Sequence, residues 1–368
     1  MKFTCTQENL NRGLLKVQGV TNQATSLPIL KNIYLEAKNG VLKLKATDLE
    51  IGMVTQVRGK SETEGQLTVD AKLINNFVAL LPQDKVLLST EGKHLLVKCG
   101  SHKTKILGLS SDDFPVIPEV VRQRGFKIKV DKFKKSLSQV LTAVSPDDTR
   151  PEINGVYFKI DDQTLTLVGT DSYRLAEKKI DLLANLKFQG SFIVPLKTVK
   201  EFVRTVDDAD ETVEIFVTDN QILFVYGLTE MVSRLVEGEF PDYQQIIPTS
   251  HKYQLTLAKD DLVKAVKISG LFAASDSNSV IFELKPTKSV LAISSSTSLG
   301  EEYSELNVKI DGAGDLKIVF DYRYLLDGLN SLEGADVVFW ASSEASPSVL
   351  KSPEEKEAWL YIVMPIRQ

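Results

Sequence analysis

Residues that commonly carry catalysis are few and scattered in this sequence. The three histidines, His94, His102 and His251, fit no metal-ligand spacing. Adjacent acids occur at Asp112-Asp113 and Asp147-Asp148, in predicted loops, where neighbouring carboxylates are usually solvated. These residues predict neither a metal centre nor an acid–base pair.

The motifs of nucleotide, cofactor and hydrolase sites are also missing. No phosphate-binding GxxxxGKS or GxGxxG sequence stands between a predicted strand and a helix, and neither HExxH nor GxSxG occurs. Cys5 and Cys99 are the only cysteines and form no CxxC pair, so we expect two buried thiols. We therefore expect no cofactor and no enzymatic activity. An enzyme whose site is assembled from distant residues remains an alternative.

Basic residues, in contrast, follow a pattern on predicted helices. Lys197, Lys200 and Arg204 are spaced at i, i+3 and i+7, opposite an apolar face that includes Val199 and Phe202. Other predicted helices also carry lysine or arginine, at Arg12, Lys16, Lys72, Lys132, Lys134, Lys135, Lys264, Lys267 and Arg323. Each could be an ordinary solvated face. Their recurrence favours a lining that meets the phosphates of a nucleic acid, by contacts that do not depend on base sequence.

The elements that carry these residues recur three times, about 125 residues apart. In each copy a strand is followed by an amphipathic helix, and these helices are predicted at Glu8–Val17, Lys132–Val144 and Asp260–Phe272. A second strand and helix follow in each copy, with helices predicted over 71–81, 196–206 and 322–332. The repeat predicts three homologous α+β domains at 1–122, 126–248 and 252–368, each with two helices on an antiparallel sheet.

Length and composition agree with a globular chain of several domains. The chain has 368 residues, 43% of them hydrophobic and 25% charged, which excludes disordered and collagen-like classes. No apolar run is long enough to span a bilayer, and Met1–Thr4 is not followed by a signal-peptide core. We therefore expect a cytoplasmic protein, with a formal charge of −5 that would keep nucleic acid away from its acidic surfaces.

Three tandem domains leave an unpaired sheet edge at each end of the series. Joining one end to the opposite end of a second copy uses two different surfaces, and such head-to-tail contacts close into a ring when the rotation permits. The repeat therefore suggests a dimeric ring of six domains.

Five short motifs resemble the bacterial DNA polymerase III beta subunit family, the sliding clamps. They lie, correctly ordered along the whole chain, at Met1–Thr4, Ser26–Leu30, Thr47–Glu50, Phe240–Tyr243 and Val363–Arg367. The resemblance implies a non-catalytic head-to-tail homodimer that encircles duplex DNA without sequence specificity. It also implies that the ring tethers the DNA polymerase III alpha subunit, the clamp loader, and other polymerases or repair proteins that carry a clamp-binding peptide.

The resemblance also assigns three sets of residues. The partner-peptide groove comprises Ile153, Thr170, Ser172, Tyr173, Arg174, Leu175, Pro241, Ile246, Tyr324, Ser348, Val363, Met364, Pro365, Ile366 and Arg367. The DNA-facing set, with the helix pattern above, comprises Lys72, Arg150, Lys197, Lys200 and Arg204. The dimer interface comprises Ile106, Leu107, Leu271 and Phe272. The chain departs from the family pattern at Ala24 and at Pro151-Glu152, so no DNA contact is assigned there.

A third class of function is a module that grips single-stranded nucleic acid. It would present exposed aromatic platforms on which bases stack. Most of the aromatic residues here fall on predicted apolar faces instead, which favours the tethering ring.

Overall fold

The structure is a computed structural model that describes residues 1–21, 27–182, 188–207, 209–273, 278–298, 300–353 and 359–367. Ala24 and Ser26 lie outside the described residues. The first third forms β1 (Lys2–Thr6), α1 (Gln7–Gln18), β2 (Asn32–Lys38), β3 (Val41–Thr47), β4 (Ile51–Arg58), β5 (Lys60–Thr63), β6 (Gly65–Asp70), α2 (Ala71–Ala79), β7 (Lys85–Glu91), β8 (His94–Cys99) and β9 (His102–Leu109).

The rest of the chain repeats this order twice, except that no strand in the described part of the middle third corresponds to β5. The middle third forms β10 (Gly125–Lys129), α3 (Val130–Leu141), β11 (Gly155–Asp161), β12 (Thr164–Thr170), β13 (Arg174–Asp181), β14 (Gly190–Pro195), α4 (Leu196–Thr205), β15 (Thr212–Val217), β16 (Gln221–Tyr226) and β17 (Thr229–Arg234). The last third forms β18 (Tyr253–Ala258), α5 (Lys259–Ala273), β19 (Ser279–Lys285), β20 (Val290–Thr297), β21 (Gly300–Asn307), β22 (Ile310–Asp311), β23 (Leu316–Asp321), α6 (Tyr322–Ser331), β24 (Asp336–Ala341), β25 (Ser348–Lys351) and β26 (Trp359–Val363). The predicted helices are confirmed, with ends that shift by up to three residues.

Side-chain caps fix where several helices begin. Thr6 accepts a hydrogen bond from the Asn9 amide at 3.3 Å at the start of α1. Asp70 accepts from the Leu73 amide at 2.7 Å at the start of α2. Asp321 plays the same part for α6. An acceptor at this position satisfies amides that have no partner within the helix.

The chain divides into two compact units, 1–131 with 197–235, and 132–196 with 236–368. The first unit holds one antiparallel sheet in the order β10-β15-β16-β17-β4-β3-β2-β6-β9-β8-β7-β1-β5. Its α1 packs on α2 and on β3 and β4. Strands of two successive repeats meet where β4 pairs with β17, with Met53 opposite Met231.

The second unit holds a sheet in the order β14-β11-β12-β13-β26-β25-β24-β18-β22 and another in the order β21-β20-β19-β23. Here β13 of the middle repeat pairs with β26 of the last, with Leu175 opposite Ile362. Both units therefore contain the same kind of junction between consecutive repeats. Within the described ranges, no helix is long and apolar enough to cross a membrane.

Candidate functional site

A tight turn between β12 and β13 forms one side of the predicted partner groove. The Thr170 hydroxyl donates to the Arg174 carbonyl at 2.7 Å and accepts from the Ser172 amide at 3.1 Å. The Asp171 carboxylate accepts from the Tyr173 and Arg174 amides at 2.9 and 3.0 Å. These bonds hold Ser172 at a φ of 77°, a left-handed conformation that a residue other than glycine adopts only when its surroundings fix it.

The first repeat builds the same turn from the same residue types. Thr47 donates to the Ile51 carbonyl at 2.9 Å and accepts from the Leu49 amide at 3.0 Å. Asp48 accepts from the Glu50 and Ile51 amides at 3.1 and 2.7 Å. Leu49 also has a φ of 77°. The Thr-Asp pair is therefore a structural device of the repeat, as its recurrence in the sequence predicts.

Arg174 differs from Ile51, the equivalent residue of the first turn, because it is a half-buried cation with two carboxylate partners. Its Nε donates to Asp171 Oδ2 at 2.9 Å, and its Nη1 donates to Asp327 on α6. The guanidinium lies 4.4 Å from the centre of the Tyr324 ring. Burial alone would lower the Arg174 pKa, but Tyr361, Asp327 and Asp171 raise it above its ordinary value. The sequence identified Arg174 and Tyr324 but missed Asp327, although it lies one helical turn after Tyr324.

Three adjacent strands bring distant groove residues into one row. Arg174 on β13 pairs with Val363 on β26, which pairs in turn with Ser348 on β25. The chain after β26 is held against the turn, because the Met364 amide donates to the Tyr173 carbonyl at 2.8 Å. The C-terminal tail and the turn after β12 therefore form a single surface.

The predicted groove residues divide by exposure into those that can touch a partner and those that support them. Tyr173, Ile246 and Ile366 expose 62%, 42% and 37% of their surfaces, and Ser172, Pro241 and Arg367 are also exposed. Arg174, Tyr324 and Met364 are half-buried. The remaining groove residues are buried and support the exposed ones by packing under them, namely Ile153, Thr170, Leu175, Ser348, Val363 and Pro365. Tyr173 and Tyr324 stack with ring centres 6.4 Å apart and planes inclined by 22°.

The basic face predicted on α4 is present, but its members are not equivalent. Lys197 bonds to the carboxylate of Asp48, whose side chain is almost completely buried. Lys200 is exposed and forms no ion pair with any residue in the described ranges. Of these two lysines, Lys200 is therefore the one available to a phosphate.

Arg204 performs a structural task that its spacing did not predict. Its Nη1 and Nη2 donate to the carbonyls of Leu15 and Lys16 at 2.9 and 3.0 Å. These carbonyls belong to the last turn of α1, where a cation complements the helix dipole. Arg204 also pairs with Glu201 at 2.7 Å. It joins a helix of the second repeat to one of the first.

The other two predicted DNA-facing residues have different surroundings. Lys72 is exposed on the first turn of α2. Arg150 donates to the Ser172 hydroxyl at 2.9 Å and to Glu152 at 3.2 Å. Arg150 therefore contacts a groove residue, and the Pro151-Glu152 departure supplies an acid that the arginine binds.

The predicted dimer residues are mostly exposed. Leu107 and Leu271 expose 66% and 78% of their surfaces, and Phe272 is half-buried. Ile106 differs from the expectation, since only 3% of it is exposed. Alternate residues of β9 face opposite sides of the sheet, and Ile106 faces inward while Leu107 faces outward.

The thiols belong to the core. Cys5 and Cys99 are both buried and unpaired, and burial raises the pKa of Cys5 to about 12. Such thiols are protonated and poorly reactive at neutral pH. Across the described ranges, no group of three or more His, Cys, Asp or Glu residues could hold a metal ion.

Three family models match the chain in succession. They describe the DNA polymerase III beta subunit N-terminal domain at residues 1–118, its central domain at 127–242 and its C-terminal domain at 244–367. A beta sliding clamp of Staphylococcus epidermidis is 30% identical over all of this chain and 99% of the relative. The chain belongs to the DNA polymerase III beta subunit family. It is a three-domain clamp of the non-catalytic, processivity-factor type.

Solved structures of the family superpose closely. The DNA polymerase sliding clamp of Bacillus subtilis is 26% identical, with a TM-score of 0.95 over all of this chain and 99% of that one. A sliding clamp of Pseudomonas aeruginosa bound to griselimycin is 27% identical, with a TM-score of 0.94 over the full length of both chains.

Proposed function

We propose that this DNA sliding clamp closes as a head-to-tail homodimer around duplex DNA in the cytoplasm. In this role it holds the DNA polymerase III alpha subunit, the clamp loader and other polymerases or repair proteins through one groove per chain. Domains at 1–122, 126–248 and 252–368 are the repeating parts, and the threefold order of helices and strands supports these boundaries. The observation that carries the proposal is that one kind of junction joins the first repeat to the second and the second to the third, while the matching edge of β21 has no strand partner within the described ranges.

Helices make the first half of each junction. At the first, Arg204 on α4 binds the end of α1. At the second, Gln139 on α3 donates to the Ser331 carbonyl of α6 at 2.9 Å, and Lys135 pairs with Glu333. The first helix of one repeat thus meets the second helix of the next. The corresponding helices left over are α5 in the last repeat and α2 in the first.

Pairing between strands makes the second half of each junction, and it follows one register in both. The residue opposite Thr47 on β4 is Gly52, which pairs on its other side with Val232. The residue opposite Thr170 is Leu175, which pairs on its other side with Ile362.

In the last repeat, the residue equivalent to Gly52 and Leu175 is Glu301 of β21, which lies opposite Ser296 of β20. No strand in the described ranges pairs with the other side of β21.

The matching hairpins suggest β9 of a second protomer as the strand that pairs with this side of β21. Cys99 pairs with His102 in the β8–β9 hairpin, as Tyr226 pairs with Thr229 in the β16–β17 hairpin. Lys105 follows His102 at the same distance as Val232 follows Thr229, so Lys105 and Val232 occupy equivalent positions of the two hairpins. On this register we expect Glu301 of one protomer to lie opposite Lys105 of the other.

Charge complements this arrangement. β21 carries Glu301, Glu302 and Glu305 along its length, whereas β9 carries Lys103 and Lys105. Lys103 also lies directly opposite Lys98 within its own sheet, a like-charge pair that is unfavourable without nearby acids. An acidic strand placed beside β9 removes this repulsion and selects the head-to-tail partner.

A closed ring retains DNA by topology, so its contacts with phosphates can stay weak and mobile. Exposed Lys200 and Lys72 suit this task. The groove at the β13–β26 junction offers two tyrosine rings, an arginine and a flexible methionine, which together suit a short peptide with apolar anchors. The griselimycin complex of the Pseudomonas aeruginosa relative supports a ligand site on this fold.

The test compares retention on DNA of two shapes. The clamp is loaded by the clamp loader of the same bacterium onto a nicked circle, and half of the sample is then linearised. We expect lasting retention on the circle and rapid loss from the linear form. Equal retention on both would favour ordinary adhesion and refute the encircling ring.

A further inference from the structure

We propose that Asp327 is a positioning residue of the partner groove: through Arg174, it holds the Tyr324 ring in place as an aromatic wall. The inference rests on the groove proposed above. It assigns a task to an α6 residue that itself stands behind the binding surface.

The two carboxylates that bind Arg174 do different work. Asp171 already accepts two backbone amides of its own turn, so its position is fixed by local geometry whether or not Arg174 is present. Asp327 lies on another element, α6, and reaches Arg174 across 153 positions of sequence. Asp327 is therefore the group that ties the cation to the helix carrying Tyr324.

The first junction shows that the fold does not need this ion pair. The turn there is the same, but Ile51 stands where Arg174 stands in the second. Aligning the starts of α4 and α6 places Glu201 at the position of Asp327, and Glu201 binds Arg204 of its own helix instead. Of the two junctions in the described ranges, the one that carries the groove is therefore the one with this ion pair.

Two contacts hold Tyr324 in place: the Arg174 guanidinium of the ion pair contacts its ring, and a hydrogen bond holds its backbone carbonyl. The guanidinium lies 4.4 Å from the Tyr324 ring centre, and the buried Tyr361 hydroxyl donates to the Tyr324 carbonyl at 2.9 Å. On its outer side the ring stacks with the exposed Tyr173. Removing the charge of residue 327 leaves Asp171 as the only carboxylate bound to Arg174, so the guanidinium is no longer anchored to α6 and is held less firmly against the Tyr324 ring.

The test compares Asp327→Asn with Glu333→Gln. Glu333 is a matched control, because it lies just after the end of α6 and pairs with a cation of another element, Lys135 of α3, away from the groove. Griselimycin is the probe, titrated against each full-length clamp. We expect Asp327→Asn to weaken binding about tenfold and Asp327→Glu to recover most of that loss. We expect Glu333→Gln to bind like the unmodified chain.

Two further measurements separate positioning from general loss of structure. In a Tyr324→Ala background, Asp327→Asn should add no further loss of affinity. Without any ligand, a fluorine label on the ring of residue 324 should change its NMR shift in Asp327→Asn but not in Glu333→Gln. An unchanged affinity and shift in Asp327→Asn, with tight binding to the unmodified clamp, would overturn the inference alone. No binding to the unmodified clamp would refute the groove itself.

Discussion

The register deduced for the dimer interface can be tested by a disulfide between protomers. Lys105→Cys and Glu301→Cys, made in one chain, should form a covalent dimer on mild oxidation. Residues directly opposite on antiparallel strands have Cα atoms about 4.5–5.5 Å apart, inside the range of about 4.4–6.8 Å that a disulfide spans. Both native side chains are exposed, so neither substitution opens a cavity.

Crosslinking is the better probe here because the charge pair itself contributes little. Exposed ion pairs are worth about 0–1 kcal/mol, and Lys105 already has a partner in Glu91 at 3.1 Å. Reversing one charge would therefore leave most of the apolar contact that we propose between Leu107 and Leu271 of two protomers intact.

The matched control moves one cysteine by a single residue. In Lys105→Cys with Glu302→Cys, the second thiol lies on the opposite face of β21, because successive side chains of a strand alternate. A non-reducing gel should show a dimer band for the first pair and little for the second. The buried native thiols, Cys5 and Cys99, should not contribute. The reverse result, or no crosslink in a chain that sediments as a dimer, would refute the register.

Three further predictions concern the tail, the basic face and the core. Deleting residues 364–368 should abolish binding of the polymerase alpha subunit while leaving the dimer intact by sedimentation; unchanged binding would contradict the groove. Lys200→Glu should reduce loading onto DNA at unchanged melting temperature, whereas Arg204→Glu should cost about 1–3 kcal/mol of stability because it uncaps α1; equal melting curves would contradict this division. Burial raises the pKa of Tyr226 and of Tyr361, so each favours the folded state below pH about 10 and loses that contribution as pH rises further, by up to about 1.4 kcal/mol per pH unit. Ionisation followed at 295 nm should lag behind that of free tyrosine until the protein unfolds.

The sequence predicted the parts of the fold that depend on local pattern. Helical spacing located α1 to α6, and Asp70 and Asp321 marked the starts of α2 and α6 because their side chains cap the following turn. The Thr170-Asp171 pair recurs in the sequence at Thr47-Asp48, and in both copies the threonine hydroxyl bonds to the backbone of the turn.

Contacts between distant elements could not be predicted in the same way. Spacing placed Lys197 and Arg204 on one basic face, but it could not reveal that Asp48 and the end of α1 lie beside them. The inward orientation of Ile106 depends on the register of β9, which one residue of slip would reverse. The link between Asp327 and Arg174 depends on how two repeats pack, and no local pattern encodes it.

The duplicated turn has a consequence for how such a chain can evolve. Its backbone is held by threonine and aspartate side chains, so the residue that closes it contributes only its amide and carbonyl. That residue is isoleucine in one copy and arginine in the other, without any change in the turn. A turn held in this way keeps its backbone whichever side chain closes it, so one copy carries a buried core isoleucine while its twin carries a cation with a different task.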